Sequence, residues 1–108
     1  MIIKRYEVYY ANLSPSIGSE IQKIRPVVVV SKTEMNKYLD TVVICPATTK
    51  LHTQWRSRIQ CVIDTKDAEI AVDQIRTISK KRIKNKIDTI SSEINAQLRA
   101  LITEMYGE

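Results

Sequence analysis

The sequence predicts a mainly β protein with α additions, a small, partly open β-barrel closed by a C-terminal helix. Three observations predict this class. Five or more short runs are rich in Val, Ile, Tyr and Thr and are bounded by turn chemistry. Only the last fifteen or so residues show a sustained helical period. The 108 residues, 44% hydrophobic with two glycines and three prolines, are enough to bury one core, which predicts a single domain over residues 1–108.

Taken in order, Tyr6 to Ala11 reads as a strand from its aromatic and β-branched content, and Ser14 to Ser19 breaks it. Pro26 lacks a ladder donor, so it belongs at the start or edge of the second strand, leaving Val27 to Val30 as the buried run. Thr33 to Tyr38 is expected to be a short helical turn or an irregular crossing. Thr41 to Cys45 is a third strand, where Pro46 is expected to end regular pairing. Ser57 to Ile63 alternates polar and apolar residues as a half-buried strand does, and Asp64 to Asp67 forms its turn.

Glu69 to Ile78 is strand-like, yet both of its faces mix polar and apolar residues, which points to a site or interface. Lys80 to Lys86 is expected to contain a short helix. The C-terminal helix is the clearest element: Ile94, Leu98, Leu101, Ile102 and Met105 form one stripe, while Glu93, Gln97, Arg99 and Glu104 face solvent. Ser91 or Ser92 caps its start, and Gly107 follows its last turn.

The longest apolar stretches, Val27 to Val30 and Val42 to Cys45, fall far short of a membrane span, and the N-terminus has no signal-peptide core. A cytoplasmic location is expected. Cys45 and Cys61 lie in separate strands without Cys-x-x-Cys spacing and read as buried free thiols; with one histidine in the chain, neither a metal site nor a cofactor is expected. The net charge of +5 is unevenly placed, with Lys80, Lys81, Arg82, Lys84 and Lys86 in one run. Such a field attracts polyanions, although a lysine-rich run also serves as a solvated face.

Three segments carry candidate chemistry: Ile24-Arg25-Pro26-Val27-Val28-Val29-Val30-Ser31, Cys45-Pro46-Ala47-Thr48-Thr49-Lys50 and Asp73-Gln74-Ile75-Arg76-Thr77-Ile78. They supply guanidinium, hydroxyl and amide groups, an inventory that suits a phosphodiester. With the opening strand Lys4 to Pro15 and the loop Gly18-Ser19-Glu20, their order resembles the MazF/PemK family of toxin endoribonucleases along essentially the whole chain. One departure stands out. Many relatives have Arg-Gly-Asp where this chain has Arg5-Tyr6-Glu7.

The resemblance implies a compact barrel of the MazF/PemK/CcdB type, a homodimer, and a cognate antitoxin whose flexible acidic segment covers the site. It also implies a sequence-preferring endoribonuclease acting on single-stranded RNA without a metal. RNA carries its own nucleophile, the 2′-hydroxyl next to the phosphorus, so the protein needs only to move protons and stabilise charge. The products are then a cyclic phosphate and a 5′-hydroxyl. CcdB-like relatives poison gyrase without cutting RNA, so a non-catalytic toxin is the alternative.

Arg25 and Thr48 are the catalytic candidates. A planar guanidinium contacts phosphate oxygens bidentately, and a pKa above about 12 makes it a stabiliser and proton donor before a base. The Thr48 hydroxyl donates to a phosphoryl oxygen. Ser19, Glu20, Thr49, Lys50, Gln74 and Arg76 are the candidate RNA-binding residues, Glu20 also as a base or loop anchor and Gln74 as a reader of base edges or a holder of the site through its amide; Arg76 either pairs with Asp73 or contacts the RNA backbone. His52 is a near-neutral base by type, in a loop that matches no family pattern. Trp55 either stacks on an unpaired base or packs in a core or interface.

Overall fold

A computed structural model describes residues 2–15, 18 and 23–107. These form β1 (Glu7–Asn12), β2 (Ile24–Val29), α1 (Thr33–Tyr38), β3 (Thr41–Thr48), β4 (Arg58–Ile63), β5 (Lys66–Ala71), β6 (Arg76–Ser79), β7 (Ile83–Thr89) and α2 (Ser92–Tyr106). The strands pair antiparallel in the order β4-β5-β3-β2-β1-β7, with β6 also on β3. The sheet curls into a half-barrel with α2 as its long helix.

The four valines of Val27 to Val30 are all buried because β2 is covered on both faces. Val28 and Val30 join Val8, Cys45, Ala47 and Ile70 in one cluster, onto which α2 lays Ile94, Leu98, Leu101, Ile102 and Met105. Val27 and Val29 join Tyr9, Ala11, Val42, Ile44 and Ile78 in a second. Leu98 is fully buried, which stabilises the docked helix by roughly 1.5–3 kcal/mol. The Ser91 hydroxyl accepts the Ile94 N–H at 3.3 Å and caps the helix.

Pro46 does not end β3. Its neighbour β6 takes Thr41 to Ile44 and β5 takes Ala47 and Thr48, so the missing N–H falls between the two partners, where no donor is needed. The strand expected over Glu69 to Ile78 is two strands joined by a one-turn 3-10 helix, Val72–Gln74. That turn steps the chain from one end of β3 to the other, which is why strict alternation failed there. The turn after β4 is only Asp64-Thr65, both at positive φ (49° and 67°), and Lys66 and Asp67 already belong to β5.

The helix expected in Lys80 to Lys86 is a single 3-10 turn, Lys80–Arg82, and the rest is β7, an edge strand paired to β1. Exposed Lys84 and Lys86 suit an open edge, where charge discourages pairing with another chain. Cys45 is buried and Cys61 half-buried, both as free thiols, and burial pushes them up to about 12 and about 11. Among the described residues, no helix is long and apolar enough to cross a membrane.

Candidate active site

Strands β2 and β3 set Val29 opposite Ile44, Val28 opposite Cys45 and Val27 opposite Pro46. The same register, continued by two residues, sets Arg25 across from Thr48. Alternation puts Arg25 on the face of Val27 and Val29, and Thr48 on the face of Val42 and Ile44; these four residues share one cluster, so both side chains leave the sheet on one side. Arg25 and Thr48 also border a common cavity of about 190 Å³ with Thr49, Asp64 and Lys66 around them.

Arg25 is exposed at the strand mouth, as a group with five donors and a high cost of burial requires. Pairing of β2 to β3 begins only past Pro26, which leaves that mouth open. Thr48 Oγ accepts the Lys50 N–H at 3.1 Å. Its acceptor side is therefore engaged, and its O–H proton remains to be donated. Lys66 adds positive charge at this mouth, and Asp64 is the carboxylate at its border.

Thr48 also borders a second cavity of about 390 Å³, with Lys50, His52, Trp55, Arg58, Asp73 and Gln74. Beneath it lies Glu69, a fully buried carboxylate. It accepts from Arg58 Nη1 at 2.7 Å, from Gln60 Nε2 at 2.7 Å, and from His52 through both the backbone N–H and Nδ1, the latter at 3.0 Å. Burial pushes the carboxyl up, but these donors outweigh it and hold Glu69 down at about 2.

Arg58 bridges Glu69 to Asp73, donating Nε to Asp73 Oδ1 at 2.8 Å, and its side chain is only 4% exposed. Burial works against its charge, yet the two carboxylates push its pKa upward. Its guanidinium lies 4.7 Å from the centre of the Trp55 ring, and the His52 ring stacks on Trp55 at 3.9 Å.

The structure therefore brings together Arg25, Thr48 and Thr49 at one cavity, and Thr48, Lys50 and Gln74 at the adjoining one. Arg76 is half-buried in β6 opposite Ile44, and Asp73, one of its candidate partners, receives Arg58. Ser19 and Glu20 lie outside the described residues. Sequence reasoning missed the Arg58, Gln60, Glu69 and Asp73 network. Its signal was the two-residue turn Asp64-Thr65, because a hairpin closing there pairs Gln60 with Glu69. Among the described residues, no group of three or more His, Cys, Asp or Glu could hold a metal ion.

The fold and this neighbouring arginine and hydroxyl describe a small, mainly β domain with an open, polar strand mouth. Residues 4–106 match the family described as PemK-like, MazF-like toxin of type II toxin-antitoxin system. The chain belongs to that family. It is 35% identical to endoribonuclease EndoA of Bacillus subtilis (strain 168), over 87% of this chain and 85% of that protein. In fold it is similar to MazF (Form-I) from Deinococcus radiodurans, with a TM-score of 0.88 at 16% identity over 100% of this chain and 99% of the other. It is likewise similar to an endoribonuclease in complex with its cognate antitoxin from a mycobacterial species, with a TM-score of 0.80 at 17% identity over 97% and 95%.

Proposed function

We propose that this chain is the toxin of a toxin-antitoxin pair and an endoribonuclease that cleaves single-stranded RNA, with sequence preference and without a metal ion. The observation that carries the reading is the meeting of Arg25 and Thr48 at one open, cationic strand mouth. Arg25 binds the phosphoryl oxygens and neutralises the charge that grows on them in the pentavalent transition state. Thr48 donates its hydroxyl proton to the same group and holds it in line with the attacking 2′-oxygen. The attack expels the 5′-oxygen and leaves a cyclic phosphate and a 5′-hydroxyl.

Thr49 and Lys50 continue the RNA path from this point, and Gln74, at the neighbouring cavity, reads a base edge. Arg76, Ser19 and Glu20 complete the assigned RNA-binding set by family resemblance. The chain works as a single domain in the cytoplasm, pairs as a homodimer, and is silenced by an antitoxin whose flexible acidic segment competes for the same cationic mouth. The mycobacterial relative with its cognate antitoxin supports that partner.

The test is incubation of the purified protein with a long unstructured RNA in excess chelator. Discrete cleavage is expected. RNA left intact by folded protein, or cleavage only on adding magnesium, contradicts the reading; inhibited gyrase with intact RNA places the chain with CcdB-like toxins instead.

A further inference from the structure

We propose that His52, positioned by buried Glu69, is the proton acceptor for the attacking 2′-hydroxyl. The inference rests on the ribonuclease reading and deepens it, because neither Arg25 nor Thr48 is a base at neutral pH. Three contacts fix the imidazole. Its own backbone N–H is bonded to Glu69 Oε1, its Nδ1 lies 3.0 Å from Glu69 Oε2, and its ring is stacked on Trp55.

An ionised carboxylate against Nδ1 keeps the proton of the neutral ring on that nitrogen, which gives Nε2 the lone pair. Glu69 is kept ionised by Arg58 and Gln60, so the orientation persists through the neutral range. The ring borders the cavity that it shares with Thr48, and Thr48 borders the Arg25 cavity as well. A phosphodiester held by Arg25 and Thr48 therefore adjoins the cavity that the imidazole lines.

In the step, Nε2 takes the 2′-hydroxyl proton, the O2′–P bond forms and the P–O5′ bond breaks. The departing O5′ takes a proton from water, and the imidazolium returns its own to solvent. The charged groups facing His52 are Glu69 from β5, Arg58 from β4, Asp73 from the 3-10 turn and Lys50 from its own loop. Glu69 alone among them bonds to the ring, so it acts as the positioning residue.

The experiment measures cleavage of RNA in chelator against pH for the wild type, His52→Gln and Glu69→Gln, with folding checked by circular dichroism and by binding of a 2′-deoxy oligonucleotide. The wild-type rate should rise with pH as the neutral imidazole forms, and then level off. His52→Gln should lower the rate by about 100-fold or more and abolish that rise. Glu69→Gln should lower kcat while leaving KM near the wild-type value, because the ring loses the carboxylate that fixes its orientation. A wild-type rate with no acidic limb overturns the inference, as does a His52→Gln protein that keeps either the rate or the limb. Folded wild type that leaves RNA intact removes the nuclease reading itself, which is a separate outcome.

Discussion

Replacing Arg58 by Met strips one charge from beneath the second cavity while keeping an unbranched side chain of similar length. In the wild type this guanidinium is almost fully buried and joins Glu69 to Asp73 at 2.7 and 2.8 Å. Removing one partner of a buried pair leaves the other charge uncompensated, which costs about 3–5 kcal/mol. With an unfolding entropy of roughly 2.1 cal/mol/K per residue, each kcal/mol moves the midpoint of this chain by about 4.4 °C, so Tm should fall by roughly 13–22 °C. Thermal melts followed by circular dichroism at pH 7 measure it. The same substitution in a Glu69→Gln background should cost distinctly less, because no buried carboxylate is then stranded. A loss below about 1 kcal/mol, or equal losses in both backgrounds, refutes the charge argument and leaves Arg58 as packing against Trp55.

Acid should act through Glu69. Its folded-state pKa is depressed from 4.5 to about 2, so its contribution is complete above the unfolded value and is lost as pH falls toward 2. The component is worth about 3 kcal/mol, and urea unfolding between pH 5 and 2 should show it in the wild type but not in Glu69→Gln. Thr65→Gly should raise stability by on the order of 0.5–1 kcal/mol, because a β-branched residue sits there at φ 67° and the Asp-Gly pair suits a turn with two positive φ angles. A lower Tm contradicts that account of the turn. Binding of a 2′-deoxy oligonucleotide should weaken with salt, and Arg25→Ala should reduce the logarithmic salt slope by about 0.7; an unchanged slope removes Arg25 from phosphate contact.

Much of the fold was legible where local pattern and tertiary environment agree. The stripe through Leu98 and the cap at Ser91 mark α2, and the run Val27 to Val30 marks a strand buried on both sides. The failures share a cause. The 3-10 turn Val72–Gln74, the continuation of β3 through Pro46 and the edge strand β7 are dictated by which strand lies alongside, and a single segment does not carry that information. The departure at Arg5-Tyr6-Glu7 has a local explanation. Tyr6 stands at φ 71°, the left-handed conformation natural to the glycine of Arg-Gly-Asp, and its backbone is pinned there by bonds to Val29 and Ile90.

At the candidate site, the neighbourhood of Arg25 and Thr48 could be singled out locally, because Arg25 adjoins Pro26 and Thr48 stands two residues past Pro46. The Glu69 network could not, because its members come from four segments. Only the Asp64-Thr65 turn relates Gln60 to Glu69, and nothing local ties His52 to either.

The most direct measurement is the mapping of both ends of the RNA fragments produced in excess chelator by the wild type and by Arg25→Ala. The wild type should leave cyclic phosphate and 5′-hydroxyl ends, and Arg25→Ala, folded and with the wild-type melting point to within a few degrees, should leave the RNA whole. Fragments carrying 5′-phosphate ends, or undiminished cutting by Arg25→Ala, would contradict the account.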